Sequence, residues 1–108
     1  MERTIDLFGD IHWQNADEYP EGTRKRVLYS GKDAKTYLME FPSGFYMAPH
    51  SHLSTEQHFI LEGSYTSDGR RYFRGTYRFF SAHENHGPFT SEQGALVLII
   101  RTPYDAEQ

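Results

Sequence analysis

A chain of 108 residues with a formal net charge of −4 has room for one hydrophobic core, and its scattered lysines and arginines lack the basic footprint that a DNA or RNA partner needs. It contains no cysteine, which excludes disulfides, thiolate catalysis, zinc ribbons and iron–sulfur clusters and leaves His, Asp and Glu as the metal-binding side chains. With 37% hydrophobic, 24% charged and 16% aromatic residues, the composition is that of a folded domain.

The start, Met1-Glu2-Arg3-Thr4-Ile5-Asp6, lacks the basic and then apolar run of a signal peptide, and no stretch approaches the roughly 20 apolar residues of a membrane span. We therefore expect a cytoplasmic protein with no membrane partner. Residues 1–22, with Trp13 and a polar run from Asn15 to Gly22, read as an N-terminal arm leading into a β-barrel domain over 23–108. Gly and Pro then cut the chain into short runs rich in β-branched and aromatic residues, which is strand spacing. The predicted strands are 24–29, 35–41, 45–52, 56–65, 71–74, 75–80 and 95–101. Pro42-Ser43-Gly44 and Ser67-Asp68-Gly69-Arg70 are turn sequences, and the second joins Ser64-Tyr65-Thr66 to Arg71-Tyr72-Phe73 as a hairpin. The run Gly94 to Ile100 is apolar on both faces, as a central strand covered on each side requires. Many short strands and no helical stripe predict an all-β sandwich or barrel.

The most informative stretch is His50-Ser51-His52-Leu53-Ser54-Thr55-Glu56-Gln57-His58. Side chains alternate along a strand, so His50 and His52 share one face about 7 Å apart, where two imidazoles can converge on an ion. Two histidines at that spacing also occur on an exposed strand with no metal. A tight reversal at Leu53-Ser54-Thr55 would bring Glu56 back beside them as an oxygen ligand, and His58 and Ile60 share its parity.

Gly44, five residues, His50-Ser51-His52, three residues, Glu56, six residues and Gly63 match the first cupin motif in every fixed position. The chain thus resembles the cupins, single-domain antiparallel jelly rolls, also described as double-stranded β-helix barrels, with one metal in the mouth. Their second motif supplies a fourth ligand. Here it runs Gly75, five residues, Ser81-Ala82-His83, two residues, His86: Gly75 and His86 match, while Ser81, His83 and Thr90 replace the usual Pro, Gly and Asn. Within cupins the chain is most similar to the ChrR-like group, which includes a domain of ChrR-type anti-sigma factors and resembles acetylacetone-cleaving dioxygenases. Carrying this likeness are Trp13, Gly22, Thr36-Tyr37-Leu38, Leu61-Glu62-Gly63, Arg71 to Tyr77 and His86-Gly87-Pro88. Those dioxygenases resemble a three-histidine site without a carboxylate, whereas this chain also offers Glu56.

The resemblance implies one divalent metal ion held by His50, His52, Glu56 and His86. Fe(II) is favoured, with Zn, Mn, Ni and Co open. With iron it implies an oxygenase acting on a small dicarbonyl or enol-type substrate. With a non-redox ion the same site serves an isomerase, lyase or hydrolase, and a third reading is a ligand-binding or sensor module without turnover.

His58 is read either as a catalytic acid or base, or competing ligand, beside the site, or as a hydrogen-bonded core histidine. Parity with His50 puts Tyr46 on the cavity side as a substrate-facing phenol, against the alternative that it fills the barrel. His83 reads as a turn residue near the mouth and His12 as part of the arm. Edge pairing between small barrels predicts a homodimer.

Overall fold

The computed structural model describes residues 2–103. Nine strands follow in chain order: β1 (Gln14–Asn15), β2 (Arg24–Ser30), β3 (Lys35–Phe41), β4 (Phe45–Met47), β5 (Ser54–Ser67), β6 (Arg70–Phe73), β7 (Tyr77–Phe80), β8 (Phe89–Ser91) and β9 (Ala95–Pro103). The described residues contain no helix, and so none long and apolar enough to cross a membrane.

The strands form two antiparallel sheets that share β5. One runs β1-β2-β3-β9-β5 with β7 on the far side of β5; the other runs β4-β8-β5-β6. The first half of β5 lies between β9 and β7, and its last four residues, Ser64 to Ser67, pair with β6. A register shift between Ile60 and Glu62 and a left-handed Gly63 (φ 73°) bend the strand between sheets. A Cβ at Gly63 would collide with the Gly94 carbonyl oxygen, so the close approach of β5 to β9 requires glycine.

Facing residues on neighbouring strands point the same way, so the register sorts the interior into rows. Met39, Val97 and Ile60 oppose one another deep in the barrel. Tyr37, Ile99 and His58 form the next row, and Lys35, Arg101 and Glu56 the row after that. The interior thus passes from apolar to charged along three strands, and the charged end is the mouth. The apolar end is closed by Phe41 stacked on Phe45, ring centroids 4.1 Å apart, with Tyr65, Phe80 and Phe89 completing the core. The outer face of the first sheet is covered by the arm, where Arg26 donates to the carbonyls of Asp6 and Gly9 at 2.9 and 3.2 Å. Leu38 and Leu96 are buried on that outer face, which is why the run 94–100 is apolar on both sides.

The 67–70 hairpin forms as expected, with Ser67 opposite Arg70 and both Asp68 and Gly69 at positive φ (54° and 78°), a type I′ turn. The predicted strand 45–52 stops at Met47. Pro49 has no N–H for a ladder, and the chain rejoins only as a single bridge between His50 and His86. Two short strands, Gln14–Asn15 and Phe89–Ser91, have no counterpart among those predicted.

Candidate metal centre

Two loops close over the mouth, one between β4 and β5 and one between β7 and β8. Backbone bonds zip them together: His50 N–H to His86 O at 2.9 Å, His86 N–H to His50 O at 2.8 Å and His83 N–H to His52 O at 2.7 Å. These bonds explain why residues 36 positions apart bring their rings together. The centroids of His50, His52 and His86 lie 4.5 to 5.4 Å apart, and one ring nitrogen from each falls within 4.8 Å of the others.

The tautomer of His50 follows from its neighbour. Its Nδ1 lies 3.0 Å from the Ala48 carbonyl, which can only accept, so Nδ1 carries the proton and Nε2 presents a lone pair. His86 Nε2 faces that lone pair at 3.2 Å. Two such nitrogens repel unless a proton or a cation lies between them. Ligands about 2.1 Å from one ion at octahedral or tetrahedral angles stand roughly 3.0–3.4 Å apart, and the observed spacing is within that interval. Burial pushes the His86 imidazole down to about 4, so it is neutral near pH 7 and fit to ligate.

Glu56 stands beside this cluster on β5, 2% exposed. Its Oε1 accepts from His58 Nε2 at 2.8 Å. Its Oε2 lies 3.1 Å from His52 Nε2 and 3.5 Å from Arg101 Nε, out of hydrogen-bond alignment with both, and is buried without a partner. Burial opposes ionisation of this carboxyl. The imidazoles of His52 and His58 and the charge of Arg101 outweigh that penalty and hold its pKa well below the usual carboxylate range. The ring nitrogens that converge are those of His50, His52 and His86, a donor set suited to a borderline divalent ion, so the residues present fit a metal; Glu56 is not one of that set, and its Oε2 approaches it at His52.

His58 sits one row deeper. Burial lowers its pKa, and the Tyr65 hydroxyl donates to its Nδ1 at 2.8 Å. Arg78 in turn reaches the same hydroxyl at 3.5 Å. A small cavity of about 10 Å³ lies under the cluster, walled by His50, Glu56, His58 and the rings of Tyr19, Phe45 and Phe89, and is about the size of one water.

Tyr46 is not on this wall. It is 56% exposed, while Phe45 and Met47 turn inward. The break at Pro49 is the reason: alternation cannot be counted through it from His50. His83 is a turn residue with φ 64°, as expected. Arg101, whose Nη2 reaches Tyr19 Oη at 3.2 Å and His52 Nε2 at 3.5 Å, was not anticipated, although alternation from Val97 and Ile99 places it inward.

Such a histidine cluster, set in the mouth of a barrel of this topology, agrees with a family model described as the ChrR Cupin-like domain, which matches residues 2–105. The chain belongs to this family. Its cupin fold is shared with an acetylacetone dioxygenase from Acinetobacter johnsonii (TM-score 0.76, 18% identity, 99% of this chain and 80% of the other). It is also shared with the polyketide cyclase RemF from Streptomyces resistomycificus (TM-score 0.82, 19% identity, 96% and 81%). A chain from the complex of Rhodobacter sphaeroides SigE with the anti-sigma ChrR is similar over 86% of this cupin at 22% identity and a TM-score of 0.69. This cupin spans only 49% of that chain's length. No curated protein matches the sequence.

Proposed function

We propose that this cupin is a metal-dependent enzyme, an oxygenase acting on a small dicarbonyl or enol-type substrate. Its ion is held by His50, His52 and His86, with Glu56 Oε2 as the oxygen donor. The observation that carries the reading is the facing pair of Nε2 atoms on His50 and His86 at 3.2 Å, with an unpartnered carboxylate oxygen 3.1 Å from the Nε2 of the third ring, His52. The likeness in fold to an acetylacetone dioxygenase supports the substrate class. When bound, iron would supply dioxygen chemistry at open coordination positions, and zinc, nickel or manganese would supply Lewis acidity.

The chain's own residues do the rest. Phe45, Phe80 and Phe89 give the space beneath the cluster apolar walls. His58, neutral and locked between Glu56 and Tyr65, holds a proton at Nε2 where the carboxylate can share it. Tyr46 has no part in this reading, since its side chain is off the cavity wall. A non-redox isomerase, lyase or hydrolase is the second reading, favoured by that same His58–Glu56 pair, which can pass a proton without any change of oxidation state.

Elemental analysis of protein purified without added ions, followed by oxygen-electrode measurements with a β-dicarbonyl, tests the proposal. Iron with oxygen consumption supports the oxygenase. Tightly held zinc without consumption moves the assignment to the second reading. Metal content that a His86→Ala variant leaves unchanged would refute the site. A cytoplasmic homodimer is proposed with it, from the outer edge of β7, which has β5 as its one strand partner among the described residues. Sedimentation and cell fractionation check that part.

A further inference from the structure

The charged row Lys35, Arg101, Glu56 opens onto a second, larger cavity of about 480 Å³. Lys32, Lys35, His52, Ser54, Arg101 and Pro103 are on its wall. The chain as a whole carries −4, yet among the described residues no carboxylate lines this pocket. Asp33, between the two lysines in sequence, is turned to the Tyr29 hydroxyl, 3.0 Å away. The charge of Arg101 is offset by Glu56 at 3.5 Å, and its guanidinium is fixed further by Tyr19 Oη and by the Tyr37 ring beneath it at 5.5 Å. Lys32 and Lys35 have no such partner: among the described residues neither enters an ion pair.

A pocket of this volume holds a small organic molecule. Two unbalanced ammonium groups with a rigid guanidinium behind them favour a negative charge there, because charge-assisted bonds to an oxyanion are roughly twice as strong as neutral ones. His52 is on the same wall, so a molecule anchored by its anionic end at the lysines presents its other end to the histidine cluster.

We propose that this pocket binds the carboxylate of an organic acid, with Lys32 and Lys35 as the counter-charges and Arg101 as the fixed floor. The substrate of the metal site is then a carboxylate-bearing carbonyl compound, not a neutral diketone. The substrate assignment rests on the metal-enzyme reading above; the anion pocket itself does not.

The test is a titration of the ¹⁵N-labelled full chain with acetoacetate and with its uncharged methyl ester, followed through the amides of Lys35, Ser54 and Arg101, with metal content measured on every sample. Acetoacetate should bind at least about tenfold more tightly than the ester. The double variant Lys32→Met, Lys35→Met should lose that preference, with ester affinity and metal content unaltered. Equal affinity for acid and ester, no shifts from either, shifts confined to other surfaces, or a preference that survives in the double variant would each overturn the proposal. If no sample holds metal but the lysine-dependent preference is present, the enzyme reading fails and the anion pocket stands.

Discussion

Glu56 Oε1 and His58 Nε2, two residues apart on the inward face of one strand, share a 2.8 Å hydrogen bond in the buried interior of the barrel. The pair ties the metal cluster to the core, because the other carboxylate oxygen faces His52 and the other imidazole nitrogen accepts from Tyr65. Removing the carboxylate strips Arg101 of its anion and His58 of its acceptor while both are held in place by other contacts. Glu56→Ala is therefore expected to cost about 1.5–3 kcal/mol in metal-free protein, the range for losing a hydrogen bond to a charged group and leaving its buried partner unsatisfied. Glu56→Gln keeps an acceptor for His58 and should cost visibly less. Urea denaturation of both variants checks this, and equal losses would show that the acceptor for His58, the one feature Gln retains, does not hold the row together.

Buried tyrosines set the alkaline limit. Burial pushes Tyr65 and Tyr19 up to about 12 and raises Tyr37 as well. An unfolded tyrosine ionises near pH 10, so above that value the unfolded chain binds fewer protons than the folded one, and stability falls with pH. The contribution is fully present below pH 10 and is lost as pH rises through about 12. Tyr65→Phe removes one of these groups and should flatten the fall in the urea midpoint between pH 10 and 12, at a cost near neutral pH of about 1 kcal/mol for the bond to His58. A slope identical to that of the parent chain would mean that other groups govern the alkaline limb.

What the sequence makes legible here is what depends on unbroken alternation. Glu56, His58 and Ile60 lie on one uninterrupted strand, and their shared inward parity is read correctly from the residue order alone. The same count fails for Tyr46, since Pro49 ends the ladder before His50 and the histidines ride on a loop. Motif spacing places His86 near His50 without needing the strand between them. Arg101 and Lys35 carry no motif; their importance comes from register across β3, β9 and β5, which a single strand's sequence does not encode. Phe89–Ser91 has only three residues, too few for a period to be seen.

Gly44 and Gly63 are both fixed positions of the first motif, yet the structure gives them different physical duties. Each has positive φ, 79° and 73°. Around Gly44 no atom lies within 4 Å of an added Cβ, so Gly44→Ala should cost only the left-handed penalty of about 1–2 kcal/mol. Gly63→Ala adds a collision with the backbone of Gly94 and Ala95, which cannot swing aside as a side chain would. Its cost should exceed that of Gly44→Ala by roughly 1–3 kcal/mol, the range for overpacking. Thermal denaturation of the two variants side by side measures the difference, and equal effects would mean that β5 and β9 separate at little cost.

Metal binding should register as stability, because the histidine cluster is assembled only when the two mouth loops are zipped. An ion that binds the folded chain at a concentration 100 times its dissociation constant stabilises it by about 2.7 kcal/mol. For a domain of this size that corresponds to a rise in Tm on the order of 10 °C. Ferrous iron or zinc added to metal-stripped protein should raise Tm by that order, and a chelator should reverse the rise. His50→Ala and His86→Ala should each abolish the response, since each removes one half of the facing pair, whereas His12→Ala, in the arm, should retain it in full. A response that persists in His86→Ala at the same metal concentration would locate the ion elsewhere, and the 3.2 Å approach of the two rings would then be a proton shared between imidazoles.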